Sequence, residues 1–96
     1  MIVYYAIEAE RDLEGAAVYS LNGWGPEHRD RYMGMLQATC EQVLPEHYKQ
    51  LATPYPKYPG DPNVLRYRAD LYVIYFRVMP DGLEILTVRH VKREPP

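Results

Sequence analysis

The chain has a single cysteine, Cys40, so no disulfide can form within it and no cysteine-based zinc site can be assembled. Cys40 is expected to be a small buried residue on a helix. The three histidines, His28, His47 and His90, are dispersed with no HExxH-like spacing, so no metal is expected. There is no glycine-rich phosphate loop, because Gly23 and Gly25 lack the rest of either nucleotide fingerprint, and no cofactor is expected. No apolar run approaches the length that crosses a bilayer, so no membrane partner is expected. The opening MIVYYAIEAE lacks the basic leader and long apolar core of a signal peptide, which predicts a cytoplasmic protein. Excess positive charge is also missing. With a formal net charge of −2, a pI near 5.9 and no basic helix, direct sequence-specific DNA binding by the chain alone is not expected.

What is present fits one domain, residues 1–96, with room for a single modest core. Apolar residues at 47% and charged residues at 25% match an ordinary globular composition. The charge is unevenly spread. Residues 1–65 hold five Lys/Arg against nine Asp/Glu, and residues 66–96 hold six against four. Basic character therefore gathers towards the C-terminal end, in a direction that suits an acidic or anionic partner there.

Ile2 to Ile7 is β-branched and aromatic with almost no polar relief, which predicts a strand buried on both faces inside the sheet. From Glu8, the residues Ala9, Leu13, Ala16, Ala17 and Leu21 recur at helical spacing, with Glu8, Glu10 and Asp12 in the first turns where the helix dipole favours them. That helix is expected to end near Asn22-Gly23. Gly25, Pro26 and Glu27 then suit the cap and first turn of a second helix, whose buried stripe is Tyr32, Met35, Leu36, Thr39, Cys40 and Val43. The two helices should pair as a hairpin, with Trp24 as a plug closing its end. Residues 45–63 hold five of the nine prolines, which excludes continuous regular structure apart from a short helical turn around Glu46 to Leu51. Tyr48, Tyr55 and Tyr58 are expected to pack this connector on the body.

Beyond it, Asn63 to Ala69 alternates, with Val64, Arg66 and Arg68 on one side and Leu65, Tyr67 and Ala69 on the other. Asp70 turns the chain. Leu71 to Val78, then Pro80-Asp81-Gly82, then Leu83 to His90 is the pattern of a β-hairpin. The expected fold is α+β, in the order β-α-α-β-β-β, with a helical hairpin on one face of a mostly antiparallel four-stranded sheet and the other face partly free.

In this order the chain resembles the RelE/ParE superfamily of type II toxin–antitoxin toxins, also labelled plasmid-stabilisation proteins. The resemblance spans nearly the whole chain. It rests on the opening strand and Ala9-Glu10-Arg11-Asp12-Leu13-Glu14, on LATP at 51–54, on VLRYRADLYVIYFRV at 64–78, and on GLEILTVRHVKRE at 82–94. It implies the same β-α-α-β-β-β fold and a cognate antitoxin as protein partner. It also implies one of two targets: DNA gyrase, blocked by binding, for ParE-like members, or ribosome-bound messenger RNA, cleaved, for RelE-like ones.

Metal-free RNA cleavage needs activation of the 2′-hydroxyl, charge stabilisation at the phosphorus and protonation of the leaving oxygen. RelE-like chains resemble each other in a basic pair on the second strand, here Arg66 and Arg68, and in an arginine on the third strand, where this chain has Tyr72. The terminal tyrosine frequent among them is replaced by Arg93-Glu94-Pro95-Pro96. His90, with Arg89 and Lys92 beside it, stands either as an acid or base or as a strand-closing residue hydrogen-bonded to the helical hairpin. Tyr75-Phe76-Arg77 and the basic tip are similar to the ParE form. The resemblance thus implies a ParE-like gyrase inhibitor that is not an enzyme, with Arg66, Arg68, Arg77, Arg89, His90, Lys92 and Arg93 as target contacts. The alternatives are a ribosome-dependent endoribonuclease using Arg66, Arg68, His90 and Lys92, and a non-toxic remnant that only binds its antitoxin.

Overall fold

The apolar runs of the C-terminal third pair into the core of the sheet, and everything else is laid around them. A computed structural model describes all of residues 1–96. The strands are β1 (Ile2–Tyr5), β2 (Thr53–Pro54), β3 (Leu65–Ala69), β4 (Tyr72–Met79) and β5 (Gly82–His90), and the helices are α1 (Ile7–Trp24), α2 (Pro26–Ala38) and α3 (Leu44–Leu51). The sheet order is β1-β5-β4-β3-β2, with β1 parallel to β5 and every other pair antiparallel. The architecture is the expected α+β one with a fifth strand added. Thr53 and Pro54 pair with Arg66 and Leu65 at the sheet edge, a place where a proline costs no ladder bond.

Helices cover one face. Ile74, Phe76, Leu83 and Ile85 are 0% exposed and meet Ala9, Leu36, Cys40 and Leu44 from the helical layer. Each large aliphatic or aromatic side chain removed from water in this way stabilises the fold by about 1.5–3 kcal/mol. A bulge in β5, opposite Tyr75 and Phe76 of β4, keeps both strands in phase. Tyr75 pairs with Thr87 and Phe76 with Ile85, so Leu86 is the extra residue. It returns Ile85 and Val88 to the helix side and leaves Thr87 and Arg89 on the other.

Gly25 joins the helices. Its φ of +89° is open to glycine at little cost; its N–H donates to the Leu21 carbonyl at 2.9 Å and its carbonyl accepts from Arg29 at 3.1 Å. The helix α1 therefore runs through Gly23 to Trp24. Trp24 does not plug the hairpin: it is 56% exposed, because the last helical residue before the turn points out to the surface.

The α2 helix does not stop at the first proline of the connector. A π-helical turn, Thr39–Val43, carries it into α3, so the expected short turn is a full helix from Leu44 to Leu51. In a continuous α-helix the ring of Pro45 would strike the carbonyl of Glu41 and leave it without a donor. The wider turn just before it removes that clash. Thr39 Oγ1 donates to the Met35 carbonyl at 2.8 Å within the same stretch.

The first strand also differs from expectation. It ends at Tyr5, Ile7 already belongs to α1, and β1 lies at the edge with Ile2 52% and Tyr4 40% exposed. The edge position leaves one face to water, and Tyr4 meets it with a hydroxyl that donates to Asp81 at 2.6 Å. Tyr5 instead donates to Glu41 at 2.8 Å, tying the strand to the π-helical turn.

Candidate functional site

Arg66 and Arg68 reach one face of β3 because Leu65, Tyr67 and Ala69 turn to the helix side. Register then fixes their neighbours. Arg66 lies opposite Tyr75, Arg68 opposite Val73, and Val73 opposite Arg89. Arg68 and Arg89 are thus two strands apart on the same face, about 10 Å by the usual strand spacing.

Each arginine is held by its surroundings. The Arg66 guanidinium sits 5.3 Å from the centre of the Tyr55 ring, and Arg68 Nε donates to the Asp70 carbonyl at 2.8 Å. Arg89 donates to the Glu94 carbonyl at 2.9 Å and lies 3.8 Å from the Glu8 carboxylate. With Arg93 they border an open cleft of about 540 Å³ whose lining contains no acidic side chain. Part of this face is roofed. Tyr55 and Tyr58 pack on Tyr75 with ring centres 5.2 and 6.0 Å away, and Tyr75 is only 2% exposed. The Tyr55 hydroxyl also donates to the Pro96 carbonyl at 2.9 Å, which folds the C-terminal residues back over the cleft's edge. The expected packing of Tyr48 is present too, edge-on to Phe76 at 6.4 Å.

His90 follows Arg89 on β5 and therefore turns towards the helices. Its ring is edge-on to Tyr72 at 5.3 Å and to Tyr19 of α1 at 6.0 Å, while Nδ1 accepts the Lys92 backbone N–H at 3.1 Å. The anticipated hydrogen bond from His90 to the helical hairpin is replaced by this aromatic contact. An Nδ1 that accepts leaves the proton of the neutral ring on Nε2. His90, Lys92 and Arg93 border a second cleft of about 430 Å³ between α1 and the end of β5, where Asp12 accepts the Val88 backbone N–H at 2.9 Å.

Arg77 stands apart from the other six. It is five residues along β4 from Tyr72, about 17 Å of strand, and is paired with Glu84 at 2.7 Å and with Asp61 at 3.5 Å. These carboxylates neutralise it at the opposite end of the sheet. Tyr72, where RelE-like chains resemble each other in an arginine, is 7% exposed and faces Tyr32 and His90 on the helix side. The structure thus gathers Arg66, Arg68, Arg89 and Arg93 around one cleft, places His90 at its border with the next, puts Lys92 in that second cleft, and removes Arg77.

Sequence reasoning placed Tyr55 and Tyr58 on the body but not over the arginines, and it missed a ring of aromatic side chains at the end of the helical layer. The density of tyrosine in residues 45–63 signalled the first. The second had only Trp24 and Tyr19 as signals, two large rings at the end of a helix with no apolar stripe to join. No three His, Cys, Asp or Glu side chains converge to hold a metal ion, and no helix is long and apolar enough to cross a membrane.

The family model for the ParE toxin of the type II toxin–antitoxin system parDE matches residues 3–95. Among solved structures, the chromosomal ParDE toxin–antitoxin system of P. aeruginosa is similar with a TM-score of 0.68 and 16% identity, covering 96% of this chain and 97% of that one. The toxin–antitoxin complex RelBE2 of Mycobacterium tuberculosis is similar with a TM-score of 0.65 and 18% identity, covering 92% of this chain and 94% of that one. No curated protein matches the chain.

Proposed function

Because the chain belongs to the ParE toxin family of type II toxin–antitoxin systems, we propose that it acts by docking on DNA gyrase and blocking replication, and that a cognate antitoxin neutralises it. The observation that carries this reading is the arginine face. Arg66, Arg68 and Arg89 are displayed together on one side of the sheet, while the ring of His90 is engaged by Tyr19 and Tyr72 on the other. A surface of fixed guanidinium groups is suited to gripping a carboxylate-bearing or phosphate-bearing partner. General acid–base cleavage would need a titratable pair directed at the substrate alongside those charges.

The antitoxin has apolar surface to cover. Val18, Tyr19 and Trp24 are each more than half exposed on α1, an area of the kind an amphipathic or extended tail buries when it folds on its partner.

Two measurements on the purified protein separate the readings. Supercoiling by gyrase should be inhibited, and cell-free translation should proceed with intact messenger RNA. Arg66→Ala or Arg68→Ala should weaken gyrase inhibition by about thirtyfold, the loss of an arginine anchor worth about 2 kcal/mol. Cleaved messenger RNA with normal gyrase activity would overturn the proposal in favour of a ribosome-dependent endoribonuclease. Absence of both effects would leave a chain that only binds its antitoxin.

A further inference from the structure

Six aromatic side chains form a closed ring where α1, α2, β4 and β5 meet. Centre-to-centre distances around it are 5.7 Å from Tyr19 to Trp24, 5.1 Å to His28, 5.7 Å to Tyr32, 5.9 Å to Tyr72, 5.3 Å to His90 and 6.0 Å back to Tyr19. Beside this ring lies a pocket of about 200 Å³, lined mainly by apolar atoms. That volume holds about seven waters' worth of space, so it suits one side chain and not a second helix.

Two polar side chains belong to this pocket. Ser20 is 3% exposed, and its buried hydroxyl has no hydrogen-bond partner. Such a group costs about 1–3 kcal/mol unless something is brought to it. Asp70 lines the same pocket from its exposed rim; its carboxylate accepts the Tyr32 hydroxyl at 3.0 Å and has no ion-pair partner. No Lys or Arg borders this pocket, although Lys92 and Arg93 border its neighbour, Arg31 shares a shallower cleft with Asp70 beyond Tyr32, and Arg68 donates to the Asp70 backbone carbonyl at 2.8 Å.

Aromatic faces beside a carboxylate that has no cation describe a receptor for a planar cation with N–H donors. We infer that this pocket is a socket for an arginine side chain presented by a protein partner. The guanidinium stacks on the aromatic wall and donates to the Asp70 carboxylate. Arginine meets these requirements better than lysine because it is planar, weakly hydrated and carries five donors. The socket is separate from the arginine cleft, so the inference does not depend on which target that cleft engages.

Trp24 is the only tryptophan and lines the pocket, so its fluorescence reports occupancy directly. The full chain is titrated with N-acetyl-arginine amide, its uncharged isostere N-acetyl-citrulline amide, and N-acetyl-leucine amide. The expected result is a saturable emission change with the arginine probe at millimolar concentration, with citrulline about tenfold weaker, the loss of one charge-assisted hydrogen bond. Asp70→Asn, which keeps a side chain suited to the turn's positive φ, should lower affinity for the arginine probe by about tenfold. Tyr19→Leu on the exposed wall should lower it several-fold. Circular dichroism checks that both variants remain folded. Equal binding of citrulline or leucine would make the pocket a plain apolar site and overturn the inference. So would absence of saturation by arginine, or an emission change that follows protein concentration alone, which would mean that a second copy fills the pocket.

Discussion

Arg66 and Arg68 were readable from sequence because a strand alternates, and alternation needs only the next residue to be apolar. His90 was not. Whether a residue at the end of a strand faces one side or the other depends on every residue between it and a fixed point, and Leu86 is an extra one. The bulge exchanges the faces of Thr87, Val88, Arg89 and His90 relative to uninterrupted alternation from Ile85. The same insertion places Thr87 at 0% exposure, with a hydroxyl that lies near Tyr58 but makes no well-formed hydrogen bond. Thr87→Val keeps the shape and removes the unmet group, so it should raise stability by about 1 kcal/mol. Urea denaturation checks this, and a fall in the midpoint would mean that the hydroxyl is satisfied in solution.

At the scale of elements, the hairpin Tyr72–His90 and the alternation of β3 were legible, since local pattern and turn chemistry agree there. The edge position of β1 was not, because an apolar run of this length reads the same whether one face is buried or both. The extent of the α2 and α3 helices was hidden by Pro45, which stops an α-helix but is admitted by a π-helical turn. Closure of the sheet has a specific requirement at Gly82. Gly82 pairs with Ile2, and a Cβ there would overlap the Ile2 carbonyl, which is backbone and cannot move aside without breaking the parallel ladder. Gly82→Ala should therefore detach β1 and cost about 3 kcal/mol or more, in the range of changes that strain a special backbone site. Hydrogen exchange would show lost protection at Ile2 to Tyr5 first. Retained protection there would contradict the overlap.

For the whole molecule, several buried acids hold their protons in the same direction. Burial raises the Tyr32 hydroxyl from its ordinary 10.0 to about 12, with Asp70 adding to the shift, and raises the Cys40 thiol from 9.0 to about 12, with Glu41 adding. Tyr5 is shifted upward too, by burial first and then by its bond to Glu41. A folded state that binds protons more tightly than the unfolded chain is favoured fully below the unfolded pKa values and loses that advantage as pH rises towards the folded ones. Stability should accordingly be flat from neutral pH to about 9 and fall steeply between about 9 and 12. Denaturation midpoints across that range check it, and Tyr5→Phe should make the fall shallower. A midpoint unchanged up to pH 12 would contradict it.

The parallel pairing of Ile2–Tyr5 with Gly82–Ile85 also bears on synthesis. The strand that leaves the ribosome first bonds to the strand that leaves almost last, a contact of the longest range the chain allows. Until Gly82 to Ile85 have emerged, β1 has no neighbour, and the apolar inner side of α1 has no completed sheet to rest on. A product that terminates before Gly82 therefore lacks both the strand that joins β1 to the rest of the sheet and Arg89, leaving it sticky to chaperones and open to proteases. Under the proposed function, such a product would lack part of the docking face as well as a stable fold. Only a chain translated through β5 can complete the sheet.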